Sequence, residues 1–445
     1  PTASVFSIGS SDEVNKNGDS FVCYLFAHNN GDGTFGESGD KDIIKCGSYS
    51  GSSSSVIDIN LGWEPQWVLI KKSSGTSNWF IGDSMRGMVT GGQDARFWAD
   101  TTTAETTNED HIDFTSTGFK AKNNDDSTND NGTHVYIAIR RSDGYVGKPQ
   151  LATDVFAMDA GNSSSTIPCF DSGFPVDFAF LKLIGGTENW YTHARLIKGK
   201  ALFTDTTDAE GSDGGSVFDS NVGYYKSVSS SYQAFMFKRH AGFDVVTYSG
   251  QSGAKTVPHS LGKNPEMMWV KNRTYGDANG WAVYHKGLNG GTNPEQYRIR
   301  LQGTNAEDDN VGAWQDTAPT STHFTLGTDR MVNQATFNYV AMLFTSVDGI
   351  SKCGYYDGSD TTQTITTGFQ PRFVILKRTN TTGSWFVLDT TRGWGAGNDE
   401  FLLLNSDAAQ DGNYNLGEPT ATGFTLTGND SYNNAGDKFI YYAHA

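Results

Sequence analysis

The chain has 445 residues, 36% apolar and 13% aromatic, with 52 glycines and a formal net charge of −17. That length exceeds one ordinary core and suggests about three or four domains. The acidic balance, without a cluster of Lys and Arg, argues against a nucleic-acid partner. No run of about 18 apolar residues is present to span a membrane, and no basic region followed by an apolar stretch marks a signal peptide.

Read from its start, the chain repeats itself. Residues 1–28 ("PTASVFSIGSSDEVNKNGDSFVCYLFAH") resemble the last 28 ("EPTATGFTLTGNDSYNNAGDKFIYYAHA"). They are expected to be the back half of a module, finishing a unit begun upstream or completing a sheet of another subunit. Residues 29–42 ("NNGDGTFGESGDKD") read as a linker. Four full modules then follow, at 43–141, 142–240, 241–347 and 348–445, the second divergent.

Each module contains one phrase: "LGWEPQWVLIKKSSGTSNWF", "SGFPVDFAFLKLIGGTENW", "LGKNPEMMWVKNRTYGDANGW" and "TGFQPRFVILKRTNTTGSW". A glycine precedes a proline (Pro65, Pro175, Pro265, Pro371). An apolar run follows and ends in Lys71, Lys182, Lys271 or Lys377, then a polar loop leads to Trp79, Trp190, Trp281 or Trp385. Proline cannot donate to a ladder and suits a strand start, whereas the runs are too continuously apolar for a strand with one wet face. The loop and the Trp-led segment complete a hairpin, and the Trp reads as a core anchor. Closing segments such as "HVYIAIRR" and "NYVAMLF" have strand character, and no long window carries helical periodicity. The fold class is therefore all-β: four tandem antiparallel β-sandwiches of roughly a hundred residues each.

The candidate sites are sparse. Cys23, Cys46, Cys169 and Cys353 lack ligand spacing and read as buried free thiols. The pairs Asp83–Arg86 and Asp389–Arg392 read as structural turns, because His193 and His285 stand near the Asp position in the middle copies. The acidic loops at 123–132 and 305–310 do not fit a calcium-loop pattern, so no metal and no cofactor is expected. No metalloprotease or nucleophile-elbow signature occurs, so no catalytic residue is expected. "DHIDF" (110–114) with Glu105 is the crowded carboxylate candidate for a polysaccharide depolymerase. Tyr275, Trp314 and Trp394, aromatics outside the repeat pattern, are the candidate glycan contacts.

The combination "LGWEPQWVLIKK…NWFIGDSMRG", "PHSLGKNPEMMWVKNR…WAVYHKGL" and "TAPTSTHFTLG…NYVAMLF" resembles an uncharacterised repeat domain of tail-fibre-like and other virion structural proteins of tailed bacteriophages, many of them marine. The likeness covers nearly the whole chain and is weakest in the second copy. It implies lectin-like or jelly-roll-like sandwiches and a non-enzymatic protein on the virion exterior, assembled in the host cytoplasm. The implied partners are other virion proteins and host-surface polysaccharide, with no membrane insertion. By analogy with fibres, a homo-oligomer, a trimer, is expected. A capsid decoration or head-fibre protein is the alternative, followed by a cell-surface carbohydrate-binding protein or a depolymerase.

Overall fold

The structure is a computed structural model and describes residues 4–28, 41–88, 90–122, 126–143, 148–164, 166–213, 215–276, 280–428 and 431–445. The chain is all-β, as its turn-rich, aromatic composition requires. In the first module the strands are β1 (Ile44–Gly51), β2 (Ile57–Asn60), β3 (Pro65–Lys72), β4 (Phe80–Asp83), β5 (Asp94–Trp98), β6 (Thr106–Glu109), β7 (Ile112–Thr115), β8 (Gly118–Ala121) and β9 (Gly132–Arg140). Six of them form an antiparallel sheet in the order β1-β9-β3-β4-β5-β6, and β2-β8-β7 form a small second sheet. The closing strand β9 thus lies between β1 and β3.

The same six-stranded order recurs over residues 156–212, 243–309 and 351–414, with closing strands Tyr232–Phe237, Asn338–Phe344 and Lys438–His444 inserted at the same place. Each large sheet carries a small sheet on one face, making a two-layer sandwich. In module 1 this core is Val68, Ile70, Phe80 and Ala138 from the large sheet against Ile59, Ile112, Phe114 and Phe119 from the small one. The repeated glycine has a backbone reason. Gly62, Gly173, Gly262 and Gly368 all have φ between 75° and 91°, the left-handed region that L side chains disfavour.

Modules 2, 3 and 4 also bury the opposite face of their large sheets, against one another. Phe178, Phe180 and Phe235 of module 2, Met267, Trp269 and Phe344 of module 3, and Phe373, Ile375 and Tyr442 of module 4 belong to one shared apolar core. Phe180 lies 6.1 Å from Trp269 and 6.3 Å from Phe373, centroid to centroid, so all three sheets meet there. A smaller apolar cluster of Val155, Ala241, Val347 and Ile350 ties the module ends together.

Residues 4–28 hold one helical turn, Asp12–Asn15, and no strand, and every one of them is exposed. The closing-strand sequence within them lacks the two flanking strands that its counterparts have. Residues 29–40 of the linker lie outside the described residues.

Candidate functional site

The repeated Trp and Lys build the joints between modules. Trp190 Nε1 donates to the Leu403 carbonyl (2.9 Å), Trp385 Nε1 to the Arg300 carbonyl (2.9 Å) and Trp281 Nε1 to the Phe203 carbonyl (2.7 Å). Module 2 therefore reaches module 4, module 4 reaches module 3, and module 3 reaches module 2, which closes a ring. The lysines follow the same circuit: Lys182 Nζ to Asp407 O (3.0 Å), Lys377 Nζ to Thr304 O (3.2 Å) and Asn305 O (3.1 Å), and Lys271 Nζ to Thr207 O (3.1 Å). These lysines are fully buried. Burial pushes Lys271 down to about 8 and Lys377 down to about 7, with Arg378 adding to the shift at Lys377. A depressed lysine in a cleft is a nucleophile candidate, but these amines are sealed in the joints and spend their N–H groups on neighbouring carbonyls.

Module 1 is attached by a buried ion network, together with hydrogen bonds such as Thr90 to Thr247 (2.7 Å) and Lys198 Nζ to the Arg86 carbonyl (2.5 Å). The Arg239 guanidinium grips Glu64 through two bonds of 2.6 Å each and Asp244 at 2.8 Å, while Arg141 reaches Asp244 at 2.7 Å. All four side chains are buried. Burial alone would raise the Asp244 carboxyl, but Arg141 and Arg239 outweigh it and hold it at about 2. The network joins modules 1, 2 and 3, and a planar, permanently charged fork suits it.

The Asp–Arg pairs are turns. Arg86 Nε meets Asp83 at 2.6 Å while Asp83 Oδ1 accepts the Arg86 amide, and Arg392 repeats both contacts with Asp389. The strand register places Asp83, Ala194, His285 and Asp389 at one position, opposite Trp67, Phe178, Met267 and Phe373. The module 2 residue there is thus Ala194, one residue after His193.

The "DHIDF" carboxylates are likewise occupied. Asp110 and Asp113 both pair with Lys122, and Glu105 pairs with Arg86 at 3.3 Å. Beside them, Asp94 Oδ2 accepts the amides of His111 and Ile112 (2.7 and 2.9 Å), and burial pushes this carboxyl up to about 8. Asp399 makes the matching bonds to Leu416 and Gly417 in module 4. Sequence reasoning missed this carboxylate clip between large sheet and loop; its signal is the same 17-residue spacing from the Asp to its first amide partner in modules 1 and 4. Among the described residues no group of three or more His, Cys, Asp or Glu side chains is placed to hold a metal ion; residues 123–125 of the acidic loop lie outside them.

Two proposed glycan contacts are corrected. Trp314 is buried beneath Tyr284 and donates to the Tyr297 carbonyl (2.9 Å), and Trp394 is buried edge-on to Phe424. Both fill gaps between the large sheet and its small partner, where an indole buries more surface than it could outside. Tyr275 is exposed and stacks flat on Phe337. The thiols divide: Cys169 and Cys353 are buried, Cys46 is half-buried and Cys23 is exposed, which corrects the expectation for Cys23.

An aromatic groove that the sequence did not announce lies on module 4. It encloses about 400 Å³ and is walled by Phe386, Phe401, Tyr414 and Tyr432, with Asp411 and Ser384 at its rim. Phe401 sits 5.4 Å from Phe386 and 6.1 Å from Tyr414, and Tyr414 is 49% exposed. Apolar walls with a few polar groups are the usual make-up of a small-ligand site, and the volume falls in that range.

The architecture defines a tandem-repeat protein of two-layer β-sandwiches, three of which share a core. The chain belongs to a family known as a domain of unknown function, DUF7483, whose profile matches residues 1–142 and 227–445. The stretch between them is most of the divergent second module. No curated protein matches the chain.

Proposed function

We propose that this chain is a non-enzymatic component of the exterior of a tailed-phage particle, a fibre-like or adhesin-like protein that holds host-surface glycan. The phage assignment rests on the likeness of the repeat phrase to virion repeat domains. The binding role is carried by one observation, the module 4 groove, where Phe386 and Tyr414 offer ring faces over the buried Phe401 and Asp411 and Ser384 offer polar atoms to hydroxyls. The carboxylates that a depolymerase would need are engaged with lysine, arginine or backbone amides, which favours binding without cleavage.

The test has two arms. A glycan array probed with the intact chain should retain a defined class of polysaccharide, and Tyr414→Ala should weaken that binding at least tenfold. No retained glycan, or unchanged binding by Tyr414→Ala, overturns the attachment role. Immunogold labelling of intact particles should mark tail appendages; label over the capsid shell would favour decoration, and unlabelled particles would sink the virion assignment.

A further inference from the structure

Module 1 carries the face that modules 2, 3 and 4 bury in their shared core, and it leaves that face open. The strand registers make the correspondence residue by residue. Trp67 and Leu69 of β3 stand where Met267 and Trp269, or Phe373 and Ile375, stand in later modules. Ile137 of β9 matches Met342 and Tyr442, and Phe97 of β5 matches Ile299 and Leu402. In modules 3 and 4 every one of these partners is at most 2% exposed. In module 1, Trp79 is 39% and Phe97 40% exposed, and Trp67, Leu69, Ile81 and Ile137 are only half-buried. An apolar face of this kind, open among the described residues, is a surface made to be covered.

The joint chemistry is present too. Each buried Trp has its own amide held by a side chain two residues after the carbonyl that receives an indole from the neighbouring module: Asp205 after Phe203, Gln302 after Arg300, Asn405 after Leu403. In module 1, Asp100 holds the Trp79 amide at 3.1 Å, which makes the Trp98 carbonyl the equivalent acceptor. Lys71 donates to Ser77 O in its own loop (2.7 Å), as Lys377 does to Gly383 O. What module 1 lacks among the described residues is the cross-module half of each contact. The ring of modules 2, 3 and 4 is closed and has no fourth place.

We propose that module 1 meets the first modules of two other copies of this chain around a threefold axis, making between chains the ring that modules 2, 3 and 4 make within one. Trp79 of each copy inserts beside the next, its Nε1 donating to the Trp98 carbonyl there, and Lys71 reaches the carbonyl of Thr102. The contact is head-to-tail and closes after three steps, the geometry of a cyclic trimer. The trimer stands independently of what the module 4 groove binds.

Sedimentation velocity of the intact chain at micromolar concentration should give three chain masses. A monomer or a dimer overturns the proposal. The double variant Trp79→Asp/Phe97→Arg, at half-open positions outside the module's own core, should reduce the mass threefold while the melting transition of modules 2 to 4 holds; a variant that stays trimeric overturns the placement. Hydroxyl-radical footprinting of the unaltered chain needs no variant. Trp79 and Phe97 should be protected in the trimer and at least fivefold more reactive on dilution to monomer, and equal reactivity in both states overturns it.

Discussion

The strand Met267–Asn272 of module 3 and its counterpart β3 in module 1 share a pattern, a register and a closing neighbour, yet the first is buried at every position and the second at alternate ones. The difference lies in what stands opposite. Met267 and Trp269 face two other sheets across the shared core, whereas Trp67 and Leu69 face away from the core of their own module. One phrase thus specifies a strand that is apolar on both faces, and the copy number sets whether both are covered. Three modules in one chain close a ring, and the first leaves the matching face open.

Truncating the same Trp in the two settings separates the covered face from the open one. Trp281→Ala removes a fully buried indole and strands the Phe203 carbonyl, so it should cost about 3–5 kcal/mol in guanidinium unfolding. Trp79→Ala, measured at a dilution where the chain is monomeric, should cost below about 1 kcal/mol, because its side chain is already partly in water. Equal costs would mean that module 1 covers its face by some other means.

The attachment of module 1 gives the next effect. Arg239→Met leaves the Glu64 and Asp244 carboxylates buried with Arg141 alone, and removing one member of a buried ion network costs about 3 kcal/mol. The loss should appear in limited proteolysis as cleavage near residue 142 at several times the rate in the unaltered chain, with modules 2 to 4 surviving. An unchanged cleavage pattern would show that the network does not hold module 1.

Much of this was legible in the sequence. The Gly, the apolar run and the Trp recur in one order because each has a local cause: a left-handed turn, a central strand and, in modules 2 to 4, a joint. The ring was not legible, since the acceptors of Trp190, Trp281 and Trp385 are backbone carbonyls, which any residue supplies. Nor was the burial of Trp314 and Trp394, because an aromatic outside the repeat pattern looks the same whether it fills a gap or lines a surface. The module 4 groove escaped notice for a related reason: Phe386, Tyr414 and Tyr432 come from separate segments that only the fold brings together.

The smallest effect concerns the register position shared by Asp83 and His285. In module 1 the carboxylate is half-buried beside Arg86, whereas in module 3 the imidazole lies under module 4. Its Nε2–H donates to the Tyr441 carbonyl at 3.2 Å and its Nδ1 accepts the Gly287 amide at 3.0 Å, which fixes the neutral ring. Burial pushes its pKa down to about 3, with Lys286 adding to the shift and the Tyr441 carbonyl opposing it. Folded His285 therefore stays neutral between pH 6.5 and about 3, while the unfolded imidazole takes up a proton over that window. The unfolded state binds more protons there, so stability falls as pH falls. The slope from one such group approaches about 1.4 kcal/mol per pH unit well below 6.5, and His193 and His240 act in the same direction. His285→Gln, compared with the unaltered chain by guanidinium unfolding at pH 6 and pH 4, should flatten the dependence by about 1 kcal/mol per unit. An unchanged slope would mean that His285 is already protonated in the fold, and the joint between modules 3 and 4 would then have to hold a charge.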